Sequence, residues 1–426
     1  MTDLKKRVEA VIDQNKEELE QLLLDLVSHP STKRHELSAQ TFFAGKLKEL
    51  GAEVDLFEPD IQQMRAKYPG FATDRESYED SPVLAGTLSG AGGGKSMILS
   101  GHMDVVEPGD GEWITGGAFV PQVIDGKIYG RGACDMKSGH ACSYMALKAL
   151  KDAGIKLKGD VTVLASVDEE VGNTGIMSLL DKGYRADGAI NTEPTAERIT
   201  VSTAGAFWYK IHVYGRAAHG GASYFGVNAI YKAYPFVDRI RQWEEERRQE
   251  LFGKVPFYEE LIVPFCAGVN MLHAGKMQAI VPEEAVLEGR VGVSPLEDTE
   301  EVMERFKCMM MDVALSDPWT KEHPPLIEFH PCRWISHSLE PDHPLAQTVA
   351  SNYQGVTGKE AEFNGFKACS DSGTMHRMFG IPTLDFGAGP DNTLHKTNEF
   401  ISVDSLLNVT KVIATTLMDW CGVVEE

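Results

Sequence analysis

Several features that mark other protein classes are missing from this chain of 426 residues. No apolar run approaches the ~18 consecutive residues that suggest a membrane-spanning helix. The cysteines are odd in number and scattered, with no C-x-x-C pair among positions 134, 142, 266, 308, 332, 369 and 421. This pattern argues against both a disulfide framework and a thiolate zinc site, and it suits a reducing compartment.

Positive charge is also scarce, because 41 Lys and Arg stand against 63 Asp and Glu, a formal net charge of −22. Such a chain lacks the basic face that nucleic acids or anionic membranes require of a non-specific partner. Repeats and a phosphate-cradling glycine loop are absent as well. Residues 1–27 are charged throughout, which predicts an amphipathic helix and not a signal peptide. We therefore expect a cytoplasmic globular protein.

In the first part of the chain, strand-like and helical segments alternate. MILS (97–100), VTVLASV (161–167) and ADGAIN (186–191) are strand-like, and MALKALKDAG (145–154) ends a helix at a glycine. IPTLDFGAG (381–389), near the C-terminus, is another strand-like segment of this kind. Such alternation predicts an α/β fold built on a mostly parallel, doubly wound sheet.

A region with a different sequence pattern interrupts this alternation of strands and helices. FWYKIHVYG (207–215) and AVLEGRVGV (285–293) alternate apolar and polar residues and bracket two helical stretches. They predict a sheet with one covered face, hence an inserted α+β domain. We expect a discontinuous domain of residues 1–203 and 333–426 around an insertion of residues 204–332.

Side chains suited to metal binding follow the predicted strands of the first domain. Strand ends of a parallel sheet meet at one edge, where ligands collect. The segments concerned are GHMD (101–104), DEE (168–170), TE (192–193), NTLH (392–395) and the glycine-rich turn containing Asp135. Their imidazoles and carboxylates are harder ligands that suit zinc, cobalt or manganese. Asp104, two residues after His102, is placed to hold that imidazole in one tautomer.

Each of these residues also has an ordinary explanation. His102 and His395 could be loop histidines, Asp135 could cap a helix, and Glu193 before Pro194 could close a turn. Two carboxylates directly after an apolar strand are costly unless a cation uses them. The occurrence of all these side chains at successive strand ends favours a metal site over separate explanations.

These segments resemble the two-zinc family of aminoacylases, carboxypeptidases, acetylornithine deacetylase and succinyl-diaminopimelate desuccinylase. The resemblance covers nearly the whole chain and rests on segments in the family's order: HMDVVEPGD (102–110), YGRGACDMKSG (129–139), DEEVGNTG (168–175), NTEPT (191–195), AAHGG (217–221) and LHKTNEF (394–400). It implies one ion bound by His102 and Glu193, a second bound by Glu170 and His395, and Asp135 bridging both.

The resemblance also assigns the catalytic groups. It implies that Asp104 orients His102, that Glu169 is the general base, and that a cis peptide follows Asp135. It implies two divalent ions, zinc first and cobalt as an alternative. It further implies a homodimer formed through the inserted lid domain, with His219 reaching the partner's active site.

Substrate-binding residues follow from the same likeness. Asn270 and Arg290 match residues that hold the substrate, the arginine by its carboxylate, although Arg290 on a polar strand face could be a surface residue. Gly373 lies in a segment like the pocket-lining loop, with Asp371 a weaker candidate. Ser138 and His140 depart from the usual MKGG pattern, and we interpret His140 as an ordinary helix residue.

The predicted activity is hydrolysis of the amide bond of a small N-acyl compound, an N-acyl amino acid by default. Two alternatives within the family are deformylation of an N-formyl aminopyrimidine in thiamin salvage and a dipeptidase or carboxypeptidase activity. A non-catalytic binding protein on the same scaffold is the alternative from another class. It predicts a missing ligand or base, whereas all six positions are occupied.

Overall fold

The computed structural model describes residues 2–70, 73, 75–259, 265–390 and 392–425 and divides into two compact units. The first comprises Met1–Ser202, Ser338–Phe366 and Ser370–Glu426, and the second comprises Thr203–His337 and Lys367–Cys369. The second unit thus runs five residues beyond the predicted end of the insertion at 332 and takes in a short later segment.

The helices are α1 Thr2–Gln14, α2 Lys16–Ser28, α3 Leu37–Leu50, α4 Ile61–Lys67, α5 Lys137–Asp152, α6 Thr174–Asp181, α7 Ala229–Leu251, α8 Thr299–Leu315, α9 Pro318–Glu322, α10 Pro344–Thr357 and α11 Val403–Cys421. A 3-10 helix covers Gly220–Phe225 and a π-helix Thr374–Met378. The strands are β1 Glu53–Phe57, β2 Val83–Leu88, β3 Met97–His102, β4 Gln122–Ile124, β5 Lys127–Tyr129, β6 Val161–Ser166, β7 Ala189–Asn191, β8 Ile199–Thr203, β9 Gly205–Tyr214, β10 Ala218–His219, β11 Ala267–Ala274, β12 Ile280–Val281, β13 Glu284–Val293, β14 Leu326–Trp334, β15 His337–Ser338, β16 Phe363–Phe366, β17 Thr383–Asp385 and β18 Phe400–Ser402.

The N-terminal segment forms two helices and not the single helix predicted. The break falls at Asn15, whose φ of −98° and ψ of 21° leave the helical range. Asparagine competes with the helix for its own backbone hydrogen bonds, so it favours ends and turns. Both helices still bury one apolar face, through Val8 and Ile12 in α1 and a leucine-rich face in α2.

The central sheet of the first unit has the order β1-β2-β6-β3-β7-β17-β8. Strands β6, β3, β7 and β17 run parallel, which confirms the predicted α/β architecture, and antiparallel strands flank them. All residues of β3, β6 and β7 are buried, as expected for strands covered on both faces. The carboxyl ends of these strands therefore lie at one edge of the sheet.

The second unit contains an antiparallel sheet of order β11-β13-β9-β14 with one covered face. Leu287, Val291 and Val293 are fully buried in a core shared with α7 and α8, whereas Glu288 and Arg290 remain partly exposed. This burial matches the alternation read from the sequence.

Two further observations concern the helices and the cysteines. No helix among the described residues is long and apolar enough to cross a membrane. All seven cysteines are free thiols.

Candidate metal centre

The carboxyl-terminal edge of the parallel sheet brings the five predicted ligands into two groups. His102, Asp135 and Glu193 place one ligand atom each within 4.8 Å of one another, and Asp135, Glu170 and His395 do the same. We call the first group the buried half and the second the open half. Asp135 belongs to both.

Asp135 turns one oxygen toward each half. Its Oδ1 lies 3.2 Å from Nε2 of His102, and its Oδ2 lies 3.2 Å from Nε2 of His395. Glu193 Oε1 is 3.9 Å from the first imidazole, and Glu170 Oε2 is 3.0 Å from the second. A carboxylate whose two oxygens face two separate imidazoles has the geometry of a shared ligand.

The side chains present fit divalent cations. The Oε1 atom of Glu170 is buried and accepts no hydrogen bond within the described ranges. Burial and the charge of Asp135 raise the pKa of Glu170, and burial likewise raises the pKa of Glu193 well above its usual value. Crowded carboxylates of this kind are costly to bury without a compensating cation. Imidazole nitrogens and carboxylate oxygens are ligands that zinc accepts.

The two histidines are surrounded by negative charge. Burial alone would lower the pKa of His102, yet the nearby carboxylates of Asp104, Asp135 and Glu193 raise it well above its usual value. Hydrogen bonds to Asp135 and Glu170 raise the pKa of His395 to about 10. The site is therefore strongly attractive to positive charge.

Glu169 lies beside the ligands without joining either group. Its Oε2 is 3.9 Å from Nε2 of His102, and its side chain is 12% exposed. Burial and the negative charges of Glu193 and Glu170 raise the pKa of Glu169 well above its usual value. A carboxyl group with a raised pKa next to a cation site can take and return a proton.

Asp104 contacts both the buried half and the turn of the open half. Its backbone carbonyl, and not its carboxylate, accepts the 2.8 Å hydrogen bond from Nδ1 of His102, while the carboxylate oxygen is 3.6 Å away. That carboxylate instead accepts the backbone N–H groups of Glu169 at 3.3 Å and Glu170 at 3.2 Å. Asp104 therefore fixes the imidazole through its main chain and the Glu169–Glu170 turn through its side chain.

A buried ion-pair network behind this turn was not found from the sequence. Arg75 is fully buried and donates from Nε to Asp168 at 2.6 Å and from Nη2 to Glu36 at 2.5 Å. Tyr78 donates to the other oxygen of Asp168 at 2.7 Å. Arg75 comes from the long segment 57–80, of which residues 71, 72 and 74 lie outside the described chain. In the sequence, Arg75 is one charged residue among several, and nothing in the pattern around it indicates burial.

The segment after Asp135 contains one feature that the resemblance implied, a cis peptide, and two that it did not. The Asp135–Met136 peptide is cis. A Cβ at Gly139 would lie 2.3 Å from Oγ1 of Thr192, so only glycine fits. His140 is buried, packs on Phe43 and bonds the carbonyl of His102 at 3.1 Å, and it belongs to neither ligand group.

Ser138 and the pocket-loop residues also belong to the first unit. Ser138 is buried and donates to the carbonyl of Cys134 at 3.3 Å. Gly373 precedes the π-helix with ordinary helical angles. Asp371 is more notable, because it is buried, accepts from Ser166 at 2.8 Å, and leaves Oδ1 without a partner in the described chain. Burial raises the pKa of Asp371 to about 7.

Asn270 and Arg290 line one groove of about 550 Å³ in the second unit, together with the aromatic residues Trp208, Phe329 and His330. The Arg290 guanidinium lies 3.7 Å from Sγ of Cys369 and forms no ion pair within the described chain. It is therefore available to a ligand carboxylate.

Asn270 occupies a β-bulge between β11 and β13, where the strand register shifts after Val269. Bulges redirect a side chain. A Cβ at Gly289 would approach the Gly268 carbonyl to 1.9 Å and the Tyr209 hydroxyl to 2.4 Å, so a glycine is needed opposite the bulge. Tyr209 bonds that carbonyl at 2.9 Å. Gly289 was visible in the sequence but not recognised.

His219 lies in the second unit and is exposed. Its Nδ1 accepts a 3.1 Å hydrogen bond from the backbone of Gly221. It is not part of either ligand group. Its action across a dimer remains a prediction.

The chain is similar to known proteins in sequence and in fold. Residues 98–419 match the sequence profile of peptidase family M20/M25/M40. The N-formyl-4-amino-5-aminomethyl-2-methylpyrimidine deformylase of Halalkalibacterium halodurans is 28% identical, over 97% of this chain and 96% of that protein. A probable succinyl-diaminopimelate desuccinylase of Staphylococcus aureus is 26% identical, over 91% and 93% of the two chains.

A solved tripeptidase structure from Staphylococcus aureus superposes with a TM-score of 0.72 at 22% identity, covering 96% of this chain and 99% of that one. This likeness supports the fold. Because the family profile spans most of the sequence, the chain belongs to peptidase family M20/M25/M40 and is, as predicted, a metal-dependent hydrolase.

Proposed function

We propose that this protein hydrolyses the amide bond of a small N-acyl compound, and that an N-formyl aminopyrimidine is the first substrate to test. The observation that carries the reaction is Asp135, whose two oxygens face His102 and His395 at 3.2 Å each, with Glu169 alongside. We propose two zinc ions as the cofactor, with cobalt as an alternative, because the ligands are imidazoles and carboxylates. The free cysteines agree with a cytoplasmic location.

In the proposed reaction, Glu169 transfers the protons beside the bound metal ions. When bound, divalent ions lower the pKa of water from about 15.7 toward 7 and polarise the substrate carbonyl. Glu169 takes the proton of the attacking water as the new C–O bond forms. It then delivers that proton to the nitrogen as the C–N bond breaks. An acid and an amine result.

The formyl aminopyrimidine is favoured by two observations. The relative named for that activity aligns with this chain almost end to end. The groove in the second unit is lined by the flat rings of Trp208 and His330, which lie 5.0 Å apart and against which a heteroaromatic ring can stack. Glu288 and Glu328 in the same groove can accept hydrogen bonds from ring amino groups.

An N-acyl amino acid is the second candidate, and Arg290 favours it. A guanidinium without an ionic partner in the described chain is the right donor for a substrate carboxylate. The pyrimidine has no carboxylate, so Arg290 separates the two candidates. With an amino-acid substrate, Arg290→Met should raise KM strongly, and with the pyrimidine it should leave KM nearly unchanged.

The deciding experiment is a substrate panel on protein reconstituted with zinc or with cobalt. It should contain the N-formyl aminopyrimidine, N-acetylornithine, N-succinyl-diaminopimelate and simple dipeptides. We expect the highest kcat/KM for the formyl compound. A higher value for an acyl amino acid would move the proposal to the second candidate, and faster cleavage of the dipeptides would replace both by a peptidase activity.

Glu169→Ala tests the reaction itself. Loss of a general base typically costs about 10²–10⁴-fold in rate. We expect this loss in kcat with two metal ions still bound, whereas Glu170→Ala should lose metal as well. Near-native turnover by Glu169→Ala would remove this residue from the mechanism.

We further propose that the protein is a homodimer formed through the second unit. Edge strand β11 exposes Met271 and Leu272, and the adjacent helix α7 exposes Tyr231 and Tyr234 to 68% and 54%. An apolar strand edge of this kind is a template for pairing with a second chain. Leu272→Glu should then shift the sedimentation coefficient from dimer to monomer.

Mixing two inactive variants tests whether His219 acts across that dimer. His219→Ala protomers retain Glu169, and Glu169→Ala protomers retain His219. If the histidine serves the partner's site, exchange of subunits creates mixed dimers with one complete site, and activity returns. If it serves its own site, the mixture stays inactive.

A further inference from the structure

Glu399 is a fully buried carboxylate to which the mechanism gives no task. It belongs to the LHKTNEF segment, four residues after the predicted ligand His395. It is in neither half of the metal centre. Its hydrogen bonds nevertheless connect the loop that carries Asp135 with the segment that carries His395.

One oxygen of Glu399 gathers three backbone amides of the Asp135 loop. Oε1 accepts from the N–H groups of Gly132 at 3.1 Å, Cys134 at 2.9 Å and Asp135 at 3.0 Å. Backbone amides of one loop that converge on a single anion form an anion-binding nest, and here only the N–H of Ala133 points elsewhere, to the carbonyl of Gly130. Hydrogen bonds to an ionised acceptor are about twice as strong as neutral ones. The loop thus wraps around the carboxylate.

The other oxygen and the main chain complete the connection. Oε2 accepts from Nη1 of Arg131 at 2.5 Å. The carbonyl of Glu399 accepts from the N–H of Gly130 at 3.1 Å, and β18 begins at the next residue and pairs with β5. Through its side chain and its carbonyl, Glu399 therefore connects the segment that carries His395 to the loop that carries Asp135.

We propose that Glu399 is a positioning residue of the metal centre. By holding residues 132–135 against the His395 segment, it sets the separation of Asp135 and His395, on which the open half depends. This inference rests on the proposed dinuclear function. It predicts a defect in metal binding that goes beyond any loss of fold stability.

Glu399→Gln is the first test. The amide keeps one oxygen for the nest but loses the charge and turns an N–H₂ group toward Arg131. Loss of an outer partner of a metal ligand typically costs about 10–100-fold in metal affinity. We expect that weakening for one of two Zn²⁺ ions in a chelator competition, an altered visible spectrum of the Co²⁺-loaded protein, and a lower kcat with little change in KM.

Arg131→Met is the matched control, since it breaks the ion pair and leaves the three amide contacts in place. It should lower the melting temperature but leave both metal affinities within about twofold. Glu399→Asp keeps the charge on a shorter side chain, and it covers the case in which the glutamine variant fails to fold. We expect it to fold and to bind the second ion more weakly.

The outcomes separate the two proposals. If Glu399→Gln binds both metal ions as tightly as the wild type does, the proposed role of Glu399 is wrong, and the proposed function is untouched. If only Glu399→Asp folds, the same comparison is made with that variant. An equal weakening in Arg131→Met would also overturn the role of Glu399, because fold stability would then explain the effect. A wild-type protein that binds no divalent ion would instead refute the proposed function.

Discussion

The two halves of the metal centre are supported in different ways. In the buried half, His102 ends strand β3, Glu193 follows β7, and their side chains are 1% and 6% exposed. In the open half, Glu170 lies in the turn after β6, and His395 lies in a loop with a φ of +60° and a side chain 53% exposed. The sheet itself places the first pair, whereas the second pair depends on contacts made by other loops.

Hydrogen bonds from residues outside the two ligand groups support the loops that carry Glu170 and His395. Asp104 holds the amides of the Glu169–Glu170 turn, Arg75 anchors Asp168 just before it, and Glu399 fastens the segment that carries His395. Loop-borne ligands need such outer partners to keep their orientation. Damage to the supports should therefore affect the open half first.

The largest contrast is expected between His102→Ala and His395→Ala. Removing the buried imidazole leaves Asp135 and Glu193 crowded and uncompensated, so both metal binding and thermal stability should fall. Removing the exposed imidazole should leave about one ion bound and the melting temperature nearly unchanged. Elemental analysis after dialysis and thermal unfolding measure both. Equal losses in the two variants would contradict the comparison.

Stepwise chelation tests the same contrast without mutation. We expect one ion to leave quickly, through the exposed His395 side, and the second to leave more slowly. Activity should fall with the first ion. Metal content and rate measured on the same aliquots report this, and a single-phase loss of both ions would show that the halves are equivalent.

Arg75→Met tests the network behind the turn. Removing one partner of a buried ion pair typically costs about 3–5 kcal/mol, here because Glu36 and Asp168 lose their shared cation. We expect that loss in urea unfolding, together with weaker binding of the ion in the open half. Arg247→Met is the matched control, since Arg247 is equally buried and bonds Glu297 in the second unit. A metal defect of the same size in the control would assign the effect to stability alone.

The sequence was sufficient for the parts that follow from the sheet. The apolar runs at β3, β6 and β7 predicted parallel strands, and metal-type side chains directly after them predicted where His102, Glu170 and Glu193 would meet. Asp135 and His395 came from the resemblance and from glycine-rich or polar loops. The structure brings all five into the two predicted groups.

The supporting contacts could not be read in the same way, because they join residues that are distant in sequence and without a periodic pattern. Arg75 meets Glu36 and Asp168, and Glu399 meets residues 132–135, through side chains that look like ordinary surface charges in the sequence. The break at Asn15 and the bulge at Asn270 were missed because each depends on one residue within a longer regular pattern.

Asp104→Asn should have the smallest effect, and it separates the two jobs of that residue. The backbone carbonyl that receives Nδ1 of His102 is unchanged, so the buried half should keep its ion. The amide offers one acceptor oxygen where the carboxylate offered two to Glu169 and Glu170, so one of these N–H groups loses its acceptor. We expect up to about a tenfold weakening of the ion in the open half, the low end for outer partners. A chelator competition measures it, and a loss confined to the buried half would show instead that the Asp104 carboxylate serves His102.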